Sequence, residues 1–382
     1  MSVLAPRSGP RPIANYFAAG RNLVLMKTLA RRALNRTLLE RQMLVQRTSQ
    51  APLKVIEHLV AMQAQEPNWP YVGLWTRIAG FKHDDLTSLL DERSVVRSTM
   101  LRTTQHLASS NDFGWLRPVV QPSLDRTVRS PYFAEQTTGL DLAELTAIGR
   151  ELLGDRTLTR REFGKLVAER FPDRNGRIVA GAVELQTALV HPPPSSTWGS
   201  WGNRPVSVAP AEFWLGRPME SAPSAQTMIL RYLASYGPAS VMDIQAWAGL
   251  TKLREVVQEM RSQLRVYRDE NGKELFDLPE APLSDPDLPV PVRFMPAYDN
   301  LILSHADRAR VISDEDRKQV ITGSLVRPTF LVDGFVHGTW TLKDSTLLIT
   351  PYRPLSKVDT KAVLAEAEHL LTFIGGQNIA VV

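Results

Sequence analysis

The sequence has 382 residues, which is enough for two or three compact units. Its 43% hydrophobic and 22% charged residues are typical of a globular protein and argue against a disordered or collagen-like chain. It contains no cysteine, which excludes disulfides, thiolate zinc sites and a cysteine nucleophile. No apolar run reaches about 18 residues, and neither an H-E-x-x-H helix nor an EF-hand loop occurs. We therefore expect no transmembrane helix. A metal held by His, Asp and Glu stays open in principle, but without a motif for one we predict no metal site.

The positive charge is concentrated at the N-terminus. The whole chain carries +5, but residues 1–50 hold nine Lys or Arg and a single acid, Glu40. Three interpretations of the basic arm, residues 1–26, stay open: a disordered phosphate-seeking tail, a transit peptide, or a start-site artefact with Met26 as the true first residue. The remainder of the chain is close to neutral, so charge alone does not establish nucleic-acid binding.

In the first unit, residues 27–135, helical periodicity is followed by strand alternation. Pro52 begins the best helix, which is predicted to run through Gln65 with one apolar face. The predicted elements are helices over 38–45, 52–65, 71–78 and 84–91, then strand character over 95–107. Three or more helices followed by a hairpin is the order of a winged helix.

The same order recurs twice. In the second unit, residues 136–222, Thr159 and Glu162 match a capping box. In the third, residues 223–282, Asn271-Gly272 between short apolar strands predicts a hairpin. The predicted elements are helices over 142–153, 159–171 and 177–190 with a long loop over 192–205, and then helices over 225–235, 240–248 and 252–264 with strands over 265–268 and 274–277.

The last segment, residues 283–382, mixes strands with a helix. A proline-rich stretch over 279–296 indicates a linker, and Asp333-Gly334 indicates a second hairpin turn. The predicted elements are strands over 330–332, 335–340 and 347–351 and a helix over 359–373. The fold class predicted for the whole chain is α+β and mainly helical.

Several segments in order resemble a known family. Leu59-Val60-Ala61-Met62-Gln63-Ala64-Gln65, continued by residues 67–77, resembles the winged-helix DNA glycosylases of the AlkZ and YcaQ type. The resemblance covers roughly residues 35–375. Supporting segments are 101–107, 298–308, Val332-Asp333-Gly334 and Gly338-Thr339-Trp340. The resemblance implies tandem winged helices that form a concave DNA-binding surface.

The resemblance also implies a function. In that family a glutamine, an apolar residue and a second Gln or Asp carry the catalysis, which here points to Gln63 and Gln65. The sequence is most similar to the branch with two glutamines, which unhooks azinomycin crosslinks. The implied enzyme is a monofunctional glycosylase that removes cationic N7- or N3-alkylpurines from double-stranded DNA and leaves abasic sites. No lysine lies near the pair in the sequence, so no lyase activity is expected.

The resemblance further implies no cofactor, no membrane partner, a monomer, and a place in the bacterial cytoplasm at the nucleoid. A role in self-resistance of a toxin producer and a role in general repair both stay open. Two other functions are carried as alternatives: a non-catalytic winged-helix DNA-binding protein or regulator, and a paralogue that binds damage without cleaving it.

One geometric objection stands against the glutamine pair. Residues i and i+2 lie about 200° apart on a regular helix, so both side chains cannot face one site there. The helix must end or distort near Gln65, and Pro67 favours such an end.

Other residues are candidates for DNA contact, each with a structural alternative. Trp198 and Trp201 either stack on bases or cover the edge of the core. The tip Asp333-Gly334 either meets the minor groove or is an ordinary turn. The predicted DNA-binding residues are Arg102, His106, His305, Arg308 and Arg310. Candidate recognition-helix cations, which solvation alone would explain equally well, are Arg160, Arg161, Lys165, Lys252, Arg254 and Arg261.

Overall fold

The computed structural model describes residues 27–199, 201–202 and 204–382. The predicted basic arm over residues 1–26 lies outside the described residues. Within them, helices outnumber strands and both are present throughout, which confirms the mixed α+β class. The first elements are β1 (Thr28–Leu29), α1 (Arg31–Arg41), α2 (Pro52–Leu59), β2 (Met62–Gln63), α3 (Trp69–Trp75), α4 (His83–Asp91), β3 (Val95–Thr99) and β4 (Gln105–Ser109).

Helix α1 corrects the prediction of a first helix over 38–45. It begins at Arg31 and buries Leu34, Leu38 and Leu39. Three of its four arginines, which contribute to the positive charge of residues 1–50, pair with acids far along the chain. Arg41 contacts Asp277 at 2.8 Å, and Arg36 binds Asp333. The start of the helix was not predicted, because the acids that pair with its arginines are distant in sequence.

Helix α2 corrects the prediction of a helix over 52–65. It begins at Pro52 as expected but ends at Leu59, because Val60 adopts a left-handed φ of +66°. The chain then enters β2, which joins a three-stranded antiparallel sheet in the order β2–β4–β3. Gln63 lies opposite His106 in that sheet.

The second group of elements packs beside this sheet. The Thr159 capping box is confirmed, since Thr159 accepts from the Glu162 amide and Glu162 reaches back. The predicted boundary between residues 135 and 136 lies inside α7. The elements are α5 (Ser110–Val119), α6 (Gln121–Val128), α7 (Pro131–Thr137), α8 (Leu142–Leu153), β5 (Leu158–Thr159), α9 (Arg160–Arg170), α10 (Gly176–Gln186), β6 (Leu189–Val190), β7 (Ser207–Pro210) and α11 (Ala211–Leu215), with sheet order β5–β7–β6.

The third group contains the hairpin that Asn271-Gly272 predicted. Gly272 has a φ of +77° at the turn, and β1 extends the sheet in parallel to β8. The helix predicted over 252–264 is shorter than expected and is followed by a 3₁₀ turn at Arg261–Gln263. The elements are α12 (Ala225–Tyr236), α13 (Val241–Ala248), α14 (Leu253–Glu259), β8 (Arg265–Asp269) and β9 (Glu274–Asp277).

The C-terminal group is built on a five-stranded sheet, β10–β13–β14–β15–β16, with α17 packed on it. Its first strand lies within the predicted linker over 279–296, which therefore is not a linker throughout. The elements are β10 (Arg293–Met295), α15 (Asn300–Leu303), α16 (Asp314–Val320), β11 (Ile321–Thr322), β12 (Leu325–Val326), β13 (Thr329–Val332), β14 (Phe335–Lys343), β15 (Thr346–Pro351), α17 (Lys357–Ile374) and β16 (Asn378–Val381).

The groups share their cores. One apolar cluster of buried residues extends from Leu38 in α1 to Val336 in β14, and another joins Val55 in α2 to Ile374 in α17. No helix in the described part of the chain combines the length and apolar character that crossing a membrane requires. The sheet β2–β4–β3 lies among these groups, so the segment after α2 is held by several units at once.

Candidate active site

The segment from Gln63 to Gln65 is not helical: β2 ends at Gln63, and the chain bends at Gln65. Its pairing with β4 continues past β2, because the amide of Ala64 donates to the carbonyl of Gln105 at 2.8 Å. The objection that a helix would separate the two glutamines therefore does not apply to this fold.

The Gln63 side chain is buried and held at both ends. It is 6% exposed. Its Nε2 donates to Thr104 Oγ1 at 3.0 Å, and its Oε1 accepts from the backbone amide of Gln65 at 2.7 Å. A carboxamide with both ends bonded has little rotational freedom, so Gln63 fixes the backbone that carries Gln65.

Gln65 is exposed and anchored at one end only. Its Oε1 accepts from the backbone amide of Gln105 at 3.4 Å. Its Nε2 makes no hydrogen bond to any residue that the structure describes. The two glutamines thus differ: one is part of the framework, and the other presents a polar group to solvent.

Arg97, on β3, holds the Gln63–Gln65 segment by hydrogen bonds to its backbone. It is 3% exposed, and its Nε and one Nη donate to the carbonyls of Ala64 at 2.8 Å and Gln65 at 3.2 Å. Burial lowers the pKa of Arg97 to about 10, which still leaves it protonated at neutral pH. Arg97 therefore orients two backbone carbonyls, that of Ala64 and that of Gln65 itself.

The contacts of Arg97 continue through His191. Arg97 donates to His191 Nδ1 at 3.0 Å, so the imidazole carries its proton on Nε2 and donates it to Glu184 at 3.0 Å. Burial lowers the pKa of His191 to about 4, which keeps it neutral. Burial alone would raise the pKa of Glu184, but Arg160 and His191 outweigh it and the pKa lies below its usual value.

His106 and Arg102 support the β3–β4 hairpin from within. His106 is 0% exposed and donates from Nδ1 to the Thr104 carbonyl at 2.9 Å; burial lowers its pKa to about 3. Arg102 donates to the Trp247 carbonyl at 2.6 Å and to Asn300 Oδ1 at 3.0 Å. No surface of the ring is exposed in this structure, so burial gives no support to the DNA contact predicted for His106. Arg102 ties the hairpin to the third and C-terminal groups.

His305 and Arg310 are also structural. They are 2% and 6% exposed. His305 donates to the Tyr236 carbonyl at 3.1 Å, and Arg310 donates to the Pro238 carbonyl at 3.0 Å. Burial lowers the pKa of His305 to about 3. Their burial likewise gives no support to the DNA contacts predicted for them. Arg308 is partly exposed, and its DNA contact stays a prediction.

The tryptophan and turn candidates for DNA contact pack against other parts of the protein. Trp201 packs 4.7 Å from Trp69, and Trp198 stacks 4.1 Å from His83, so both rings cover the edge of the core. The carboxylate of Asp333 binds Arg32 at 2.7 Å, which holds the turn against α1.

The candidate recognition-helix cations divide into three sets. Arg261 forms an ion pair with Glu274 at 2.7 Å on the third hairpin. Lys252 and Arg254 are exposed at the start of α14. Arg160, Arg161 and Lys165 line a cleft of about 780 Å³ beside the β3–β4 hairpin. That cleft also reaches Gln105, the residue whose amide anchors Gln65.

The supporting residues of this site were not predicted from the sequence. Arg97 contacts the backbone of the Gln63–Gln65 segment, and Gln105 contacts the Gln65 side chain. Asn300 contacts Arg102 of the β3–β4 hairpin, and its Nδ2 donates to the Ala61 carbonyl at 2.7 Å. The one available indication was an arginine within the strand pattern over 95–107. Within the described residues, no group of three or more His, Asp or Glu side chains is arranged to hold a metal ion.

Comparisons with known proteins agree with one another. A model of a family described as DNA glycosylase AlkZ-like matches residues 56–373. An interstrand DNA cross-link repair glycosylase from Streptomyces sahachiroi is 25% identical over 388 aligned residues, which cover 90% of this chain and 96% of the relative. The solved structure of the DNA glycosylase AlkZ from the same organism superposes with a TM-score of 0.77 at 23% identity, over 93% of this chain and 100% of that one. The chain shares its fold with that structure.

Proposed function

The chain belongs to the AlkZ-like DNA glycosylase family, and we propose that it hydrolyses the N-glycosidic bond of purines alkylated at N7 or N3. The product is an abasic site in double-stranded DNA. Since its relative is an interstrand DNA cross-link repair glycosylase, the proposed substrates include crosslinked purines. The observation that carries the proposal is the non-helical segment after β2, in which the buried Gln63 side chain binds the Gln65 amide and the Gln65 side chain is exposed.

The chemistry of a cationic base suits neutral amides. Alkylation at N7 places a positive charge on the purine, so the base departs neutral and needs no general acid. The remaining tasks are to place a water molecule at the anomeric carbon and to stabilise an oxocarbenium-like state. A fixed amide dipole performs both tasks without titrating.

The two glutamines take different parts in this proposal. Gln65 is the catalytic residue, because its side chain is exposed and its Oε1, held by the Gln105 amide, keeps a second lone pair to accept a hydrogen bond from the attacking water. Gln63 is a positioning residue, since both ends of its amide bond within the protein. The sequence-based assignment gave both the same task of placing water.

The surrounding fold supports an open DNA surface. We interpret the sheets β2–β4–β3, β5–β7–β6 and β8–β9, each with its preceding helices, as tandem winged-helix units. An open surface admits a crosslinked base, which cannot be flipped out of the duplex. We further propose a monomer that acts on the bacterial chromosome.

A lyase step is not part of the proposal. In the described structure, the hydrogen-bonding partners of Gln63 and Gln65 include no lysine, which a Schiff-base intermediate would use.

The direct test uses a labelled duplex that contains one 7-methylguanine. The expected result is strand cleavage only after alkali, because a monofunctional enzyme leaves an intact abasic backbone. Cleavage without alkali would contradict the monofunctional assignment. Absence of cleavage with retained DNA binding would favour a non-catalytic DNA-binding protein. A duplex with an interstrand crosslink, followed on a denaturing gel, tests unhooking.

A further inference from the structure

The cleft beside the β3–β4 hairpin has an apolar interior. It measures about 780 Å³ and lies between α7, α9, α10 and the hairpin. The rings of Phe133 and Phe163 and the side chain of Ile178 line it, and Tyr132 stands at its mouth with 61% of its surface exposed. Cavities of roughly 300–1,000 Å³ with apolar and aromatic walls bind ligands of drug size.

The cleft reaches the candidate active site through one residue. The Gln105 side chain lines the cleft and is 9% exposed; its Nε2 donates to Thr99 Oγ1 at 3.1 Å. Its Oε1 is buried without a hydrogen-bond partner among the described residues. A buried acceptor with no partner costs free energy, which a donor from a ligand would recover. The backbone amide of the same residue anchors Gln65.

The rim of the cleft carries positive charge. Arg161, Lys165 and Arg177 are exposed and form no ion pair with any described residue. The acid that lines the cleft, Glu184, is bound by Arg160 at 2.6 Å. A cationic rim around an apolar interior matches DNA that carries an apolar group, because the phosphates meet the rim.

We propose that this cleft binds the planar, largely apolar group that a bulky alkylating agent leaves on N7 or N3 of a purine, with Gln105 Oε1 accepting a hydrogen bond from a hydroxyl or N–H that the group carries. The inference rests on the proposed function and deepens it by assigning a specificity pocket. A methyl adduct does not extend into the cleft, so the cleft separates bulky from small substrates.

The test compares two duplexes, one with 7-methylguanine and one with a single guanine that carries a polycyclic aromatic group at N7. Gly181→Leu fills the cleft, since a Cβ at this helical position lies 3.3 Å from the Phe133 ring. Leucine also favours the helix relative to glycine, and a thermal melt of the variant checks that it folds. Tyr132→Ala removes the exposed ring at the mouth. Gly114→Leu on α5 is the matched control, because a Cβ there meets nothing within 4 Å.

The expected result is a fall of about tenfold in the ratio of kcat/KM for the bulky adduct to kcat/KM for 7-methylguanine in Gly181→Leu. A smaller fall is expected in Tyr132→Ala and none in Gly114→Leu. An unchanged ratio in Gly181→Leu would overturn the inference, as would an equal loss on both substrates. A wild-type protein that cleaves neither duplex would refute the proposed function itself.

Discussion

The β3–β4 and β8–β9 hairpins have the same antiparallel pairing but lie in opposite environments. Every residue of β3 and β4 is buried, whereas Arg265 and Arg268 of β8 are exposed. The β8–β9 hairpin, here called the outer hairpin, turns through Gly272, whose φ of +77° costs a glycine little conformational free energy. The β3–β4 hairpin, here called the inner hairpin, turns through Arg102 and Thr103, with φ of 53° and 59°.

That difference separates a local turn from one imposed by tertiary contacts. Non-glycine residues with positive φ cost about 1–3 kcal/mol each and persist only where surrounding contacts determine them. Arg102 supplies such contacts through Trp247 and Asn300. The inner hairpin also carries the partners of both glutamines. We therefore expect changes at the inner hairpin to affect chemistry, and changes at the outer hairpin to affect little.

The largest expected effect is at Gln65. Gln65→Ala should lower kcat for 7-methylguanine excision by about 10²–10³-fold, because it removes the fixed dipole at the reacting carbon. Gln63→Ala should lower kcat less, since it acts through the Gln65 backbone. Gln263→Ala, an exposed glutamine before the outer hairpin, is the matched control. Single-turnover rates measure all three. Equal rates for Gln65→Ala and Gln263→Ala would refute the assignment.

The next effect is at Arg97. Arg97→Met should lower the free energy of unfolding by about 3 kcal/mol, because it leaves two carbonyls and His191 without their donor. It should also lower kcat more than it changes KM, measured well below the melting temperature. Arg268→Met on the outer hairpin should change stability by less than about 0.5 kcal/mol. A stable Arg97→Met protein with normal kcat would show that Arg97 does not position the loop.

A third effect concerns pH. Burial lowers the pKa of His106 to about 3 in the folded protein, while an unfolded histidine titrates near 6.5. Stability is therefore complete above about pH 6.5 and is lost as the pH falls toward 3, because only the unfolded state takes up the proton. At pH 5 the loss from this residue is about 2 kcal/mol. Denaturant titrations of wild type at pH 7 and pH 5 measure it together with the losses from His191 and His305.

A variant isolates the His106 contribution. His106→Gln cannot titrate, so its difference in stability between pH 7 and pH 5 should be about 2 kcal/mol smaller than that of wild type. His369→Gln, at a side chain that is 71% exposed, should keep the wild-type difference. If both variants retain the wild-type difference, His106 is not the titrating group.

The smallest effect is at the outer turn. Gly272→Ala should cost about 1 kcal/mol, because alanine is strained at this positive φ although space for its Cβ exists. Excision of 7-methylguanine should be unchanged, since the outer hairpin does not contact the glutamine segment. A loss of excision rate at preserved stability would place the outer hairpin in contact with DNA.

Local patterns predicted the parts of the fold that depend on neighbouring residues. The Thr159 capping box, the Asn271-Gly272 turn and the last helix were all correct, because caps, turns and amphipathic periodicity act within a few residues. Similarity to a family supplied Gln63 and Gln65 as candidates. Neither source predicted the roles of Arg97 or Gln105, whose contacts join residues about 30 to 95 positions apart.

The sequence by itself determined the class of fold, most of the helices, and the chemical types at the candidate site. Only the tertiary structure decided that α2 ends at Leu59, that Gln63 is buried, and that Gln65 is exposed. The physical reason is that β2 exists only when β4 pairs with it, some 40 residues further on. Burial likewise depends on distant partners, which is why His106, His305 and Arg310 proved to be structural. An isolated segment contains none of these partners, so its own preferences favour the longer helix that the structure does not form.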